Sequence, residues 1–116
     1  MIIKNANVFT EEGKFVKQDI YIKGGQFVKD EAEASADEVI DAEGCFAVPG
    51  LTDIHFHGCV GYDFCDGTEE AITKIAEYQA SIGVTSIVPA TMTLGEDVLK
   101  GICETAAVYR KTNKNE

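Results

Sequence analysis

The sequence predicts a mixed α/β chain in which a small antiparallel sheet over residues 1–48 is followed by β-α-β-α units over residues 49–116. Short alternating runs, separated by glycine-containing and acidic turns, fill the first part. After Pro49 and Gly50, strand-like runs alternate with patterns of three- and four-residue spacing that indicate helices. Because strand–helix alternation is typical of parallel sheets with right-handed crossovers, we expect the second part to contain a parallel sheet.

Composition excludes several classes of protein. The chain has 116 residues, which suits one domain or a part of one, and a formal charge of −10. This acidity argues against a nucleic-acid partner, since phosphate backbones need a basic footprint. No apolar run reaches the roughly 20 residues that a membrane helix requires. Met1–Asn5 lacks the apolar core of a secretory signal, so we expect a cytoplasmic protein without membrane contact.

The first part is predicted to contain short strands with one clear hairpin. Gly24 and Gly25 lie between two alternating runs, which indicates a tight turn with positive φ. The acidic segment Asp30–Glu38 carries no large apolar residue and is expected to be an exposed loop. A turn at Glu43 and Gly44 separates the last two strands. The predicted strands cover residues 2–9, 15–23, 26–29, 39–41 and 45–48.

The second part begins with a strand over Leu51–His57 and a loop over Gly58–Gly67. Asp66 or Thr68 is expected to cap the helix that follows, and Gly83 to end it. The next strand covers residues 84–91, with Pro89 near its end. Residues 93–96 form a capping-box pattern before a second helix to about residue 109. The predicted apolar faces are Ala71, Ile72, Ile75, Ala76, Tyr78 and Ile82 on one helix, and Val98, Leu99, Ile102, Cys103 and Ala106 on the other.

Cysteine spacing predicts neither a zinc site nor a disulfide framework. The four cysteines, at positions 45, 59, 65 and 103, match no Cys-x-x-Cys pattern, and we expect free thiols. Cys103 is predicted to lie in the core. Cys59, just after the histidines, either lines a metal pocket or is a small loop residue. Tyr62 and Phe64, further along the same loop, form either a substrate- or dimer-facing patch or part of the loop packing.

The most informative residues are the two histidines, His55 and His57. On a strand, alternate side chains share a face, so Asp53 joins the histidines on one side while Ile54 and Phe56 lie on the other. Such a strand fits a barrel with imidazole ligands inside and helices outside, and two imidazoles can bind one cation. A bare His-x-His also occurs by chance, and hydrogen-bonded strand histidines are the alternative. For Asp53, hydrogen bonding is favoured over ligation.

The run Pro-Gly-Leu-Thr-Asp-Ile-His-Phe-His-Gly, residues 49–58, resembles the opening motif of the amidohydrolase superfamily of metal-dependent hydrolases. Two further segments are similar to one family within it, the N-acetylglucosamine-6-phosphate deacetylases. These are the glycine-rich loop Gly58–Asp66 and the segment Gly83–Thr93, which reads Gly-Val-Thr-Ser-Ile-Val-Pro-Ala-Thr-Met-Thr. The resemblance covers the chain from its N-terminal strands to its second predicted helix.

The resemblance implies a (β/α)8 TIM barrel, of which residues 49–116 would form the first two βα units. Residues 1–48 would supply the N-terminal strands of a small β-sandwich domain. It also implies hydrolysis of the acetamide of an amino-sugar phosphate, a divalent metal (zinc or iron) held by His55 and His57, and a homodimer at full length. Gly58, Cys59 and Gly61 correspond to substrate-binding positions. The family's catalytic residues come later than residue 116, so the chain reads as an N-terminal, inactive fragment.

Two alternatives to this activity stay open. One is another amidohydrolase that opens a cyclic amide, as dihydroorotases and hydantoinases do. Those enzymes usually carry an arginine just after the histidine pair, where this chain has Gly58 and Cys59. The other is a fragment without chemistry that acts only in assembly.

Overall fold

The computed structural model of the protein describes residues 1–34 and 37–112. These residues form two compact units, Met1–Pro49 and a second that begins at Gly50. The fold is mixed α/β, with nine strands and two α-helices in the described residues. None of those helices is long and apolar enough to cross a membrane.

The first unit is a five-stranded sheet whose central strand is β1. The predicted hairpin is confirmed, because β2 and β3 pair antiparallel and the glycines between them, Gly24 and Gly25, have φ values of 58° and 76°. The strand order is β3-β2-β1-β4, and β5 also pairs with β1. The strands are β1 (Ile2–Phe9), β2 (Phe15–Lys23), β3 (Gln26–Val28), β4 (Val39–Asp41) and β5 (Phe46–Ala47).

The prediction of an entirely antiparallel sheet is wrong for β4 and β5. Both run parallel to β1, with Ile2 opposite Val39 and Asn7 opposite Phe46. They follow one another along the same side of β1 instead of forming a hairpin. The segment after β3 must therefore carry the chain back before β4, since parallel neighbours need a crossover. Its described part is mostly exposed, as predicted, and residues 35 and 36 of the expected loop lie outside the described residues.

The first unit buries few side chains. Ile2 and Ala6 are each 1% exposed and Ala42 is 9% exposed, and these are the buried apolar residues of its described part. Large apolar side chains stay exposed at Phe9, Phe15, Val16, Phe27, Val39, Ile40, Phe46 and Val48. The described part of this sheet therefore has little core of its own.

The second unit starts with a strand, a hairpin and a short 3₁₀ turn, followed by a β-α-β-α order. The strands β6 and β9 pair in parallel, with Leu51 opposite Val84, and α1 connects them, as predicted. The hairpin was not predicted, because each of its strands is too short to show alternation. The elements are β6 (Leu51–Phe56), β7 (Gly58–Cys59), β8 (Tyr62–Asp63), a 3₁₀ turn (Phe64–Asp66), α1 (Glu69–Ser81), β9 (Val84–Pro89) and α2 (Glu96–Thr112).

Several predicted ends are corrected by one to three residues. Thr68 caps α1, since its side chain accepts the Ala71 N–H, while Asp66 belongs to the preceding turn. Strand β9 ends at Pro89, as the proline indicated. Helix α2 begins at Glu96, so the residue before it, and not Thr93, holds the N-cap position. The helix continues past the predicted end to residue 112, and residues 113–116 lie outside the described part.

The helices of the second unit bury narrower stripes than their periodicity predicted. Ile75 is 1% exposed and Ile102 is 2% exposed, while Cys103 is exposed and its predicted core position is wrong. Predicted core residues Tyr78, Ile82 and Val98 are also exposed, at 42%, 54% and 53%. Each helix packs against few neighbours within the described residues, so only the centre of its apolar face is covered. Gln79, in contrast, is 7% exposed.

Candidate metal-binding site

The end of β6 brings the two histidines together. His55 lies within the strand and is exposed, whereas His57 directly follows the strand and is half-buried. Their ring centroids are 5.2 Å apart and the ring planes are nearly perpendicular, at 88°. The period-two spacing therefore places two imidazoles side by side, as the sequence predicted.

His57 carries a buried ring nitrogen without a partner. Its Nδ1 atom is inaccessible to solvent and makes no hydrogen bond within the described residues. A buried polar atom in this condition carries a desolvation penalty that a bound group can offset. The donor type fits a transition metal, since neutral imidazole suits zinc and iron.

The number of ligands is smaller than a complete metal site needs. Two imidazoles make half of a four-coordinate shell. Residues 1–34 and 37–112 contain no cluster of three or more histidine, cysteine, aspartate or glutamate side chains suited to a metal. The histidine pair therefore fits a divalent metal in donor chemistry and supplies half of a tetrahedral set.

Backbone contacts hold the peptide around the histidines from three sides. Asp53 Oδ1 accepts the His55 N–H at 3.1 Å, so this carboxylate is engaged in a hydrogen bond within the strand. The Phe56 carbonyl accepts the Ala90 N–H at 2.8 Å, which links the strand end to the segment after β9. The His57 carbonyl accepts the N–H of Phe64 at 2.7 Å. These bonds restrict the backbone from which both imidazoles project.

The segment after His57 is a tight hairpin that depends on two glycines. Val60 and Gly61, at its turn, have φ values of 49° and 85°, as a two-residue hairpin loop of the primed type requires. Gly58 pairs with Asp63 across the hairpin, and a Cβ at Gly58 would lie 2.1 Å from the Tyr62 carbonyl oxygen. Gly58 is thus needed for close backbone approach, which the sequence alone did not show.

The residues expected to bind substrate are all in this hairpin. Gly58 and Cys59 follow the histidine pair directly, and Gly61 lies at the turn with open space where a Cβ would be. Cys59 is half-buried, and this burial raises the pKa of its thiol. All four cysteines are free, as predicted.

Tyr62 and Phe64 have different surroundings. The Tyr62 hydroxyl donates to Glu70 Oε1 at 3.0 Å, which joins the hairpin to α1, and this bond together with the Glu70 charge raises the pKa of Tyr62. Phe64 is 8% exposed and packs with Ile72 and Ile102. Loop packing is therefore the role of Phe64.

Curated proteins similar to this chain include two kinds of enzyme, deacetylases that match most of the chain and dihydroorotases that match about half of it. N-acetylglucosamine-6-phosphate deacetylase from Lysinibacillus sphaericus is 27% identical over 99 residues, which cover 84% of this chain and 26% of that protein. The human protein of the same name is 31% identical over 94 residues, covering 74% of this chain and 23% of its own length. A dihydroorotase from Carboxydothermus hydrogenoformans is 48% identical over a shorter stretch of 60 residues, or 49% of this chain and 14% of that protein. No family model matches the chain.

Solved structures agree with the sequence relatives. The N-acetylglucosamine-6-phosphate deacetylase of Pasteurella multocida shares the fold with a TM-score of 0.85, at 20% identity, over 99% of this chain and 31% of that chain. The deacetylase of Thermotoga maritima has a TM-score of 0.72 at 26% identity, over 94% of this chain and 28% of that chain. The chain thus spans about a quarter of the length of the curated deacetylases that it matches. By sequence and by fold, it is recognised as a relative of the N-acetylglucosamine-6-phosphate deacetylases of the amidohydrolase family, aligned with one part of those longer proteins.

Proposed function

We propose that this chain carries part of the metal centre of a hydrolase that removes the acetyl group from N-acetylglucosamine 6-phosphate. The products would be glucosamine 6-phosphate and acetate. The observation that carries the proposal is the pair of adjacent imidazoles, with ring centroids 5.2 Å apart, at the end of β6. Relatives named as deacetylases of this substrate match the chain over most of its length.

In this proposal His55 and His57 each donate one ring nitrogen to a divalent zinc or iron ion. When bound, such an ion polarises an amide carbonyl and lowers the pKa of a coordinated water. The chain's own residues then act by holding the ligands in place. Asp53 fixes the backbone of His55, and the bonds to the Phe56 and His57 carbonyls hold the end of the strand. We also propose that Gly58, Cys59 and Gly61 line the substrate site.

The second unit would form the first two βα units of a (β/α)8 barrel. This proposal is supported by the parallel β6–β9 pair joined by α1 and followed by α2. A barrel of this type has typically around 250 residues, so the remaining ligands and the acid–base group would come from other parts of the protein. The first unit would belong to a small β-sandwich domain, and the full-length protein would be a cytoplasmic homodimer.

A cyclic-amide hydrolase is the second candidate. The dihydroorotase of Carboxydothermus hydrogenoformans is more identical over its matched 60 residues than the deacetylases are over theirs. It covers only about half of this chain, however. Gly58 and Cys59 also stand where the resemblance leads us to expect an arginine in such enzymes. We therefore favour the deacetylase.

The metal proposal is tested by replacing both histidines in the full-length protein. We expect His55→Ala combined with His57→Ala to lower the bound metal, measured by elemental analysis of purified protein, and to abolish deacetylation. Val108→Ala is the control, because Val108 is exposed on α2 and far in sequence from the pair. Unchanged metal content and activity in the double variant would refute the assignment of the ligands.

The substrate proposal is tested by comparing two reactions on the same preparation. We expect acetate release from N-acetylglucosamine 6-phosphate to be much faster than hydrolysis of dihydroorotate or of a cyclic imide. A preference for the cyclic amide would overturn the deacetylase proposal in favour of the second candidate.

A further inference from the structure

Two carboxylates, those of Asp63 and Asp66, close the turn after the hairpin by accepting backbone N–H groups in a capping box. Asp63 Oδ1 accepts the Cys65 N–H at 2.7 Å, and Asp66 Oδ2 accepts the Asp63 N–H at 2.9 Å. Gly67 ends the turn with φ 63° and donates its N–H to the Phe64 carbonyl at 3.3 Å. This reciprocal capping leaves the short turn little conformational freedom.

Phe64 lies inside this turn and connects the histidine segment to the core. Its side chain is buried against Ile72 of α1 and Ile102 of α2. Its N–H donates to the His57 carbonyl at 2.7 Å. The direction of that N–H depends on the turn, because the peptide plane between Asp63 and Phe64 is set by ψ of the capping Asp63 and φ of Phe64. The two carboxylates thus control a contact of His57 that neither of them makes directly.

A second bond links the same turn to the segment after β9. Cys65 Sγ accepts the Met92 N–H at 3.2 Å. The neighbouring Ala90 N–H bonds the Phe56 carbonyl at 2.8 Å. The two peptide groups that flank the His57 Cα atom, Phe56–His57 and His57–Gly58, are therefore held by different elements.

His57 has little other support in the described residues. It lies one residue beyond the end of β6, and its Nδ1 atom has no hydrogen-bond partner there. A metal-binding imidazole is oriented by contacts around it, and those contacts affect affinity strongly. We propose that Asp63 and Asp66 are positioning residues, which orient His57 for metal binding by fixing the turn that carries Phe64. This inference rests on the proposed role of His57 as a ligand.

A direct ligand role for the two carboxylates is the alternative. Both already accept backbone N–H groups, and no cluster of three potential ligands occurs in the described residues. The two roles differ in their chemistry. A positioning role needs only an oxygen that accepts a hydrogen bond, whereas a ligand role needs the negative charge of the carboxylate.

Two substitutions of Asp66 in the full-length protein separate these roles. Asp66→Asn keeps an oxygen for the Asp63 N–H, and Asp66→Ala removes it, while both remove the same charge. Asp97→Ala is the control, because Asp97 lies in the first turn of α2 and is exposed. The measurements are Co²⁺ affinity, from the visible absorption of the bound ion, and hydrogen exchange of the Phe64 amide in metal-free protein.

We expect Asp66→Ala to weaken Co²⁺ binding by about 10-fold to 100-fold and to speed exchange at Phe64. Asp66→Asn and Asp97→Ala should stay close to the wild type in both measurements. Wild-type affinity in Asp66→Ala, or equal losses in the alanine and asparagine variants, would overturn the positioning role while the proposed ligands still stood. Absence of Co²⁺ binding by the wild type would instead refute the proposed metal centre.

A second pair of variants tests the same turn if Asp66→Ala does not fold. Asp63→Asn keeps an acceptor for the Cys65 N–H, and Asp63→Ala removes it. The same order of Co²⁺ affinities, with asparagine near the wild type and alanine weaker, supports the inference. Equal affinities of these two variants contradict it.

Discussion

Replacing Gly58 by alanine should displace the segment that follows the histidine pair. The added Cβ would lie 2.1 Å from the Tyr62 carbonyl oxygen and 2.8 Å from the Asp63 Cα atom. Both neighbours are backbone atoms, so no side chain can rotate away to relieve the overlap. The hairpin must open or shift, and the shift reaches Asp63, which pairs with Gly58 and caps the 3₁₀ turn.

The magnitude follows from the overlap. An ordinary van der Waals contact of a Cβ lies at 3.4–4 Å, so the partner strand must move by more than 1 Å. Forcing extra atoms into a packed site costs about 1–3 kcal/mol. If this strain lowers the free energy of local opening by the same amount, amide exchange at Phe64 and its neighbours should become roughly 5-fold to 160-fold faster.

Hydrogen exchange with mass spectrometry on the full-length protein measures this change. Gly101→Ala is a control in which the added Cβ should change the exchange rate in the opposite direction, since Gly101 lies within α2 with open space around the added atom. That control should slow exchange in α2, because alanine in a helix is about 0.5–1 kcal/mol more favourable than glycine. Exchange in the hairpin that is unchanged by Gly58→Ala would refute the close-approach argument.

Three further outcomes are expected. Ile102→Ala should destabilise the second unit by about 2–5 kcal/mol and lower its melting temperature, because Ile102 is 2% exposed. The exposed Val108 provides the control, since Val108→Ala should have little effect, and equal shifts in melting temperature for the two variants would contradict this. The rate of Cys59 alkylation should stay low at neutral pH and rise only at a pH above the ordinary pKa of a thiol, because burial raises the pKa of Cys59. Mass spectrometry after iodoacetamide treatment at several pH values measures this rate, and fast labelling at neutral pH would be inconsistent with that burial. The 116-residue chain alone should oligomerise and show no deacetylation, because β6 and β9 pair only with each other within residues 1–34 and 37–112 and Ile54 is 77% exposed. A monomer by light scattering that also turns over substrate would contradict this expectation.

The sequence alone determined the elements whose signals are local. The pair Gly24-Gly25 predicted a hairpin because glycine adopts positive φ without steric cost, and both residues have it. Asp66 or Thr68 was predicted to cap α1 and Gly83 to end it, because capping depends on residues within one turn of the helix, and the structure selects Thr68. Period-two alternation placed His55 beside His57 for the same reason, since neighbouring side chains on one face of a strand follow from backbone geometry.

Features that depend on distant partners required the tertiary structure. Strands β4 and β5 were expected to be antiparallel, yet they run parallel to β1, because strand direction depends on the path of the connecting segment and not on the strand's own residues. Cys103 matched the apolar periodicity of α2 and is nevertheless exposed, because burial depends on which neighbours pack against a helix face.

The features of the candidate site also fall into these two groups, those encoded locally and those that depend on distant partners. The identity and spacing of the two histidines were evident from the sequence, because they are encoded within one strand. The support of His57 by Phe64, and the reciprocal bonds of Asp63 and Asp66, became evident only in the structure. These contacts form when a two-residue turn folds the chain back on itself and two helices enclose Phe64, so they depend on packing between elements that no local pattern specifies.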